Sequence, residues 1–460
     1  MRAGLSRATL SLSLLALAGC AMAPQPAPVS TLVTPAAWRS PVTAGDPVER
    51  DWWRAFGDPV LDALVRQAQA RNGDVRAARA RLQEYQARVR IAAGARLPTL
   101  NLNAGPARGR SIGPFGTPVD TTTVAGQVEA SYELDLYGRL NSLATAARAE
   151  LRADEALDAA TSLAVAANTA SGYLNLRSLD AQLELARATL TARQRSFDLA
   201  KRQFDVGYSS RLDQSQAAAE LHTTAAVVPQ LERAIAQQEN ALAVLTGANP
   251  GATARGSRLL DLRPPAIAAG LPSELLRRRP DVAQAEATLV ALDASLAAAR
   301  DQLLPSIRLT ASAGVFAYSL GPLLHAPYEL WSFGGSVLAP LFDGGRLRAQ
   351  AEIAGTVRDR AVFSYEAAVR AAFAETENAL TAVQRLNEQL IEAQARQVAS
   401  AEVLRIAHNR YANGYASYLE ELDAQRNAFA ADNNVLQLRA SLLAAHVDLY
   451  RALGGGWRAG

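Results

Sequence analysis

The chain contains very few of the residues that carry chemistry in enzymes and metal sites. Among its 460 residues there is one cysteine, Cys20, and the four histidines lie far apart, at positions 222, 325, 408 and 446. A single cysteine excludes a disulfide framework. The sequence also has no His-Glu-x-x-His, Gly-x-Ser-x-Gly or Walker-type lysine motif. We therefore expect no enzymatic activity, no metal site and no cofactor.

Lysine and long apolar runs are also scarce. Lys201 is the one lysine, and Lys+Arg 47 nearly balances Asp+Glu 44, for a formal charge of +3. No region carries the dense basic stripe that nucleic-acid binding requires, so we expect no nucleic-acid partner. No run of about 20 apolar residues follows the N-terminus, which argues against a spanning helix. The hydrophobic fraction of 49% is nevertheless sufficient for a large core.

The N-terminus has the pattern of an export signal. Two arginines precede a short apolar stretch over residues 10–17, which ends at Leu17-Ala18-Gly19-Cys20. This ending resembles the bacterial lipobox, so residues 1–19 are expected to be a lipoprotein signal peptide. The resemblance implies cleavage after Gly19, diacylglycerol on the Cys20 thiol and acylation of the new amine; Ala21 favours the outer membrane. The alternative is that Cys20 is merely a small residue near a cleavage site. Six prolines between positions 21 and 47 predict an extended tether.

The remainder of the chain is duplicated at a constant offset of 207 residues. Leu97-Pro-Thr-Leu100 matches Leu304-Pro-Ser-Ile307, and Gly138-Arg-Leu140 matches Gly345-Arg-Leu347. The period is far longer than that of solenoid repeats, so each unit is a structural half of the protein. We place the halves at 60–247 and 267–454, a loop-like linker at 248–266 and a tail at 455–460.

Each half combines long helices with two strands. Residues 139–205 contain no proline, and their apolar residues recur three or four apart, which predicts one very long helix. Alternating apolar and polar residues predict strands near 98–112, 122–137, 305–318 and 329–342. Such alternation is typical of a half-buried soluble sheet or of an outer-membrane barrel, and the export signal favours the barrel. Four strands cannot close a barrel, whereas two chains give eight strands and three give twelve with a channel.

Several motifs resemble one known family. They are Trp52-Trp53 through Asp58-Pro59 to Asn72-Gly-Asp74, the stretch Tyr132-Glu-Leu-Asp-Leu-Tyr-Gly-Arg-Leu140, the linker residues 270–282 and the stretch 340–347. The chain resembles the TolC-type outer-membrane efflux lipoproteins of the NodT group, which serve resistance-nodulation-division pumps. The resemblance covers nearly the whole mature chain.

This resemblance implies a mainly α fold with a membrane β-barrel. Three copies would close a twelve-stranded barrel that continues into a periplasmic tunnel of α-helices. Residues 20–59 would hold the acylated tether and part of an equatorial belt. The implied partners are a periplasmic adaptor, an inner-membrane resistance-nodulation-division pump and outer-membrane lipid, and the implied function is passive conduction of small molecules. The alternatives are the outer component of a type I protein-secretion system and a structural coiled-coil spacer of the envelope.

Two glycine-containing interruptions in the helical pattern, Phe204–Asp213 and Tyr411–Glu420, predict helical hairpins. Glycine permits the tight turn, and Ser210 or Ser417 can cap the next helix. The expected adaptor-docking residues lie in these turns: Val206, Gly207, Tyr208, Ser210, Gly414, Tyr415 and Ser417. The resemblance places a periplasmic gate at Tyr411, Leu419, Glu420 and Asp423. In a trimer, Glu420 and Asp423 would form two acidic rings; the alternative is an exposed, solvated helical tip.

Acidic residues also occur on the second predicted strand. Glu129, Glu133 and Asp135 are candidates to line the barrel lumen and favour cations. For Glu133 and Asp135, exposure to water at the periplasmic rim is the alternative.

Overall fold

The structure is a computed structural model that describes residues 32–40, 48–263 and 267–458. The expected signal peptide and the lipidation site Cys20 lie outside the described residues. The chain divides into two compact units. The first contains Leu82–Asp154 and Ala285–Glu366, and the second contains Leu32–Arg81, Glu155–Gln284 and Ala367–Gly460.

The helices repeat with the spacing of the duplicated sequence. After a 3₁₀ turn over Trp52–Phe56, the first half contains α1 (Pro59–Arg71), α2 (Gly73–Gly94), α3 (Arg139–Asp205) and α4 (Arg211–Leu245). The second half contains α5 (Pro272–Arg278), α6 (Pro280–Asp301), α7 (Leu320–His325), α8 (Arg346–Ala412) and α9 (Tyr418–Ala452). Helices α6, α8 and α9 begin and end 207 positions after α2, α3 and α4. Helices α3 and α8 have 67 residues each, so each is about 100 Å long at 1.5 Å per residue.

The strands form one antiparallel sheet in the order β1-β2-β3-β4. They are β1 (Thr99–Ile112), β2 (Pro118–Leu134), β3 (Ser306–Ala317) and β4 (Tyr328–Leu338). Strand β2 begins earlier than expected because Ile112 and Pro118 already pair across a tight turn, in which the Gly113 amide donates to the Thr117 carbonyl at 2.8 Å. The short helix α7, between β3 and β4, was not expected from the sequence.

The register of the sheet places most of the apolar residues of the four strands on one face. Leu102 pairs with Val128, Val128 with Ala313, and Ala313 with Trp331. We call this the apolar face; the residues of opposite parity form the polar face. No layer of the residues that the structure describes covers the apolar face, since Trp331 is 81% exposed and Phe333 is 73% exposed. Large apolar side chains exposed in this way require a lipid or protein surface against them.

Acidic residues at the end of β2 hold the start of α3. The Leu140 and Asn141 amides donate to the Asp135 carboxylate at 2.9 and 2.8 Å, and the Glu133 carboxylate lies 2.6 Å from Arg139. A carboxylate is favourable there because the first amides of a helix have no partners within the helix. The lumen assignment considered for Asp135 is therefore replaced by a helix-capping role, and Glu133 is neutralised by an ion pair.

One helix differs from the expectation based on composition. Among the described residues, α6 is long and apolar enough to cross a membrane by length and composition, with a mean hydropathy of 1.2. It occupies the same place in the second half that α2 occupies in the first, immediately before the repeated Leu-Pro motif that precedes a strand. We therefore assign α6 to the helical layers of the repeat.

Candidate functional site

The two predicted hairpin turns have the same backbone geometry. Gly207 and Gly414 follow α3 and α8 with φ values of 80° and 79°, a conformation that glycine adopts without strain. The Tyr208 amide donates to the Gln203 carbonyl at 2.7 Å, and the Tyr415 amide donates to the Arg410 carbonyl at 2.8 Å. These bonds satisfy carbonyls at the ends of both long helices. The predicted hairpins are therefore confirmed, and the backbone of their turns is equivalent.

The two serines do not cap their helices in the same way. Ser210 forms a complete capping box, in which its Oγ accepts from the Asp213 amide and its own amide donates to the Asp213 carboxylate, both at 3.2 Å. Ser417 occupies the N-cap position of α9 but makes no side-chain capping bond. The corresponding third residue is Glu420, and its carboxylate lies 2.8 Å from Arg410 instead.

The turn residues expected to dock an adaptor expose aromatic and aliphatic side chains. Tyr208 is 88% exposed, Tyr415 is 79% exposed and Val206 is 67% exposed. Leu212 and Leu419 extend this apolar surface by one turn of the following helices, at 64% and 59% exposure. Such a concentration of exposed apolar side chains is typical of a surface that meets another protein.

The four residues expected to form the gate occupy two different environments. Tyr411 is 5% exposed and lies inside the protomer, where its Oη donates to Gln203 Oε1 at 2.7 Å and its ring packs against Tyr418. Burial, with a contribution from Glu421, raises the pKa of Tyr411 to about 12, so its phenol stays protonated. Leu419, Glu420 and Asp423 are exposed on α9. The structure therefore groups three of the four residues and separates Tyr411 from them.

Beneath the turns, a buried polar network joins the two hairpins, and sequence reasoning did not anticipate it. At its centre, Glu421 is fully buried on α9; its Oε1 lies 3.0 Å from His408 Nδ1 and 2.7 Å from Gln425 Nε2. The Gln425 amide also donates to Ser196 Oγ on α3 at 3.0 Å. The available signal was the spacing of Tyr418, Leu422 and Gln425, which places Glu421 on the buried face of α9.

Ion pairs complete this network on α3, α4 and α9. Arg193 is 3% exposed and lies 3.2 Å from the Glu220 carboxylate, which also pairs with Arg426 at 2.8 Å. The charges of Arg193 and Arg426 balance those of Glu220 and Glu421. Removing Glu220 costs about 3–5 kcal/mol, because Arg193 then stays buried without its ionic partner. The network therefore fixes how the two hairpins of a protomer pack.

A second constellation binds the linker to the helices. Asp58 is 2% exposed and caps α1 by accepting from the Val60 amide at 2.8 Å. Its second oxygen accepts from Tyr173 Oη at 2.8 Å and from the Ser257 amide at 3.0 Å. Tyr173 Oη in turn accepts from the Gly256 amide at 2.9 Å, and a Cβ on Gly256 would lie 2.2 Å from the Asp58 carboxylate. We call these residues the linker clasp.

Equivalent positions in the two halves hold the ends of α4 and α9. Asn72 Nδ2 donates to the Leu245 carbonyl at 3.0 Å, and 207 positions later Arg279 Nη1 donates to the Ala452 carbonyl at 3.2 Å. Arg279 also pairs with Asp281 at 2.7 Å. Burial opposes ionisation of Asp281, but the hydrogen bonds from Arg279 hold its pKa below the usual range. Cations near a helix C-terminus are favourable because its last carbonyls are partly negative.

None of these constellations is a metal site. Within residues 32–40, 48–263 and 267–458, no group of three or more His, Cys, Asp or Glu side chains is arranged to hold a metal ion.

The architecture defines a class of protein. An antiparallel sheet with one apolar and one polar face, connected along the chain to helices about 100 Å long, is the architecture of an outer-membrane channel with a periplasmic helical tunnel. The profile of the family described as outer membrane efflux protein matches residues 64–248 and again 271–455. The chain belongs to this family, as the resemblance to TolC-type proteins indicated, and it is an outer-membrane efflux channel.

Relatives and solved structures match over nearly the whole chain. The toluene efflux pump outer membrane protein TtgF of Pseudomonas putida is 36% identical over 464 residues, covering 97% of this chain and 96% of TtgF. The cation efflux system protein CusC of Escherichia coli is 34% identical over 454 residues, covering 96% of this chain and 97% of CusC. The open state of the Neisseria gonorrhoeae MtrE outer membrane channel superposes with a TM-score of 0.85 at 30% identity. The match covers 96% of this chain and 99% of the MtrE chain. These relatives are channel proteins.

Proposed function

We propose that three copies of this chain close a twelve-stranded barrel that passively conducts small molecules out of the periplasm. The observation that carries the proposal is the unpaired edge on each side of the sheet. Among the described residues of one protomer, β1 and β4 each pair on one side only, over 14 and 11 residues. Unpaired backbone amides and carbonyls in lipid cost several kcal/mol each, so these edges require partners.

The strand directions support closure by further copies. Because all three pairings are antiparallel, β1 and β4 run in opposite directions, and β4 of one copy can pair antiparallel with β1 of the next. Two copies would give eight strands, whose interior side chains fill the barrel, whereas three give twelve and leave a channel. In each copy, residues 60–247 contribute two strands and residues 267–454 contribute two, so three copies supply twelve.

The proposed partners are a periplasmic adaptor and an inner-membrane resistance-nodulation-division pump. The adaptor would meet the exposed turns that contain Tyr208 and Tyr415, and the pump would supply energy and cargo. The names of TtgF and CusC specify toluene and cation efflux. Both cargoes are small, which favours small-molecule efflux here over the type I protein-secretion alternative.

The oligomer and the partners are tested together. Native mass spectrometry of the detergent-solubilised protein should show three copies of the chain, and pull-down from the native envelope should recover an adaptor and a pump. A stable monomer or dimer would contradict the barrel proposal. Recovery of a protein-secretion pump instead would favour the type I alternative.

The proposed gate comprises Leu419, Glu420 and Asp423 on the exposed surface of α9, stabilised from within the protomer by Tyr411. Replacing Asp423 by Ala should reduce cation selectivity and weaken block by divalent cations, because one acidic ring is lost. Replacing Tyr411 by Ala should raise the resting conductance, because it removes the Gln203 hydrogen bond and leaves a cavity between the hairpins. Asp448→Ala, on the last turns of α9, is a matched control. If both variants conduct like the parent, the gate lies elsewhere.

A further inference from the structure

The polar face of the sheet is almost uncharged. Following the register across all four strands, its members are mainly Asn, Gln, Ser, Thr, Ala and Gly, and its charged members among the described strands are Glu129, Glu133 and Arg308. The Glu133 carboxylate lies 2.6 Å from Arg139 and 4.0 Å from Arg308, so these two arginines share its charge. Glu129 is the remaining acidic residue on this face.

The surroundings of Glu129 leave its charge uncompensated. It pairs in register with Asn101 on β1 and Ser312 on β3, and Ser312 pairs with Ser332 on β4. The Gln127 amide donates to Glu129 Oε1 at 2.9 Å, which orients the carboxylate without neutralising it. No arginine or lysine of the described strands occupies a neighbouring position on the polar face. Glu129 is exposed.

The trimer proposed above would bring three of these carboxylates to one level of the barrel. Strands ~4.8 Å apart and tilted ~40° give a twelve-stranded barrel a backbone radius of about 12 Å. Side chains that reach about 5 Å inward leave carboxylates about 12 Å apart, close to the ~10 Å Debye length at 0.1 M salt. The three charges therefore act together on an ion in the lumen.

We propose that Glu129 is a specificity-determining residue, whose three copies form a ring in the barrel that favours cations over anions. This ring rests on the proposed trimer and is distinct from the acidic residues at the hairpin tips. Coulomb's law with Debye screening gives cations an enrichment of about fourfold on the axis at 0.1 M salt, with a corresponding depletion of anions. The effect nearly disappears at 1 M salt, where the Debye length is about 3 Å.

The decisive variant is Glu129→Cys, studied as the full-length protein in planar bilayers under a salt gradient. A sulfonate-bearing methanethiosulfonate reagent, added from the extracellular side, should restore the cation preference of the parent. The trimethylammonium reagent should shift the preference toward anions. Because the same channel is measured before and after reaction, the charges at the tips stay constant. The adjacent Ala130→Cys is the matched control, since Ala130 lies on the apolar face and should not respond to either charged reagent.

The isosteric Glu129→Gln provides a second measurement. It should lower the cation-to-anion permeability ratio by about 16-fold at 0.1 M salt, because the fourfold cation enrichment and the fourfold anion depletion multiply, and by less than about twofold at 1 M. The proposed ring would be refuted if Glu129→Gln kept the cation-to-anion permeability ratio of the parent. It would also be refuted if the selectivity of Glu129→Cys did not depend on the charge of the reagent. Neither result would contradict the proposed channel. A parent protein that never conducts would instead contradict the proposed function itself.

Discussion

The linker clasp should control how often residues 248–263 leave the helices. Tyr173→Phe removes the hydroxyl that donates to Asp58 and accepts from the Gly256 amide. Burial, with the Asp58 carboxylate, raises the pKa of Tyr173, so the wild-type phenol is a proton donor throughout the physiological range. A hydrogen bond to a buried charged group is worth about 1.5–3 kcal/mol. We expect the local opening of the linker to become easier by about 2 kcal/mol, or about 30-fold.

Limited trypsin digestion measures this opening because Arg255 and Arg258 lie in the linker. Arg255 is anchored in the closed state, 3.0 Å from Asp180, and Arg258 follows Ser257, whose amide is bound to Asp58. When opening and closing are fast relative to cleavage, the cleavage rate follows the open population. Tyr173→Phe should therefore accelerate linker cleavage about 30-fold. Asp58→Ala should accelerate it further, because that substitution also removes the cap of α1.

Two controls separate local opening from general loss of stability. Tyr208→Phe makes the same chemical change on an exposed tip and should leave linker cleavage at the parental rate. Cleavage at Arg202 and Arg211, which flank the first hairpin turn, should not accelerate in Tyr173→Phe. Equal acceleration at the tip and the linker, or a linker rate within twofold of the parent, would refute the reasoning.

Three further predictions address the sheet, the N-terminus and the second half. Spin labels at Leu309 and Leu134 should report contact with lipid, while labels at Thr310 and Glu133 should report contact with water. The inverted pattern would refute the assignment of the two faces of the sheet. Water contact at all four labels would refute the barrel. Mass spectrometry should find Cys20 acylated at the mature N-terminus of the parent and should find no acylation in the Cys20→Ser variant; a free Cys20 thiol or another cleavage site would contradict this. Asp281 has a lowered pKa in the folded state, so its contribution to stability is complete at neutral pH and is lost as pH falls below about 4. The melting temperatures of Asp281→Asn and the parent should therefore differ most at neutral pH and converge in acid, whereas a constant difference would exclude the ionic contribution.

Local periodicity was sufficient to predict the very long helix α3 and the two faces of the strands. The spacing within 139–205 predicts α3, and the alternation in 307–315 predicts which side chains of β3 share a face. Both patterns arise from the geometry of a single element. The sequence does not show that Leu102, Val128 and Trp331 meet on one face, because register depends on pairing between distant segments.

The environments of residues near the two hairpin turns depend on contacts between distant parts of the chain, which local sequence patterns do not predict. Tyr411 was expected in the gate, but its burial depends on packing against Ala200 of α3, more than 200 positions away. The burial of Glu421 is not predicted because a glutamate on a long helix is ordinarily solvated. Its partners Ser196 and His408 come from two other helices, and only the packing of the hairpins brings them together. Asp135 was recognised as acidic, but its capping role required the position of the first turn of α3.

Single-channel recording of the purified protein in a planar lipid bilayer tests the central claim most directly. The protein should insert without any partner and show a low resting conductance, because Tyr411 and the buried network hold the hairpin tips together. Tyr411→Ala should raise that conductance in the same bilayer. A purified, folded protein that inserts but never conducts, in both the parent and Tyr411→Ala, would contradict the conclusion that this chain forms an efflux channel.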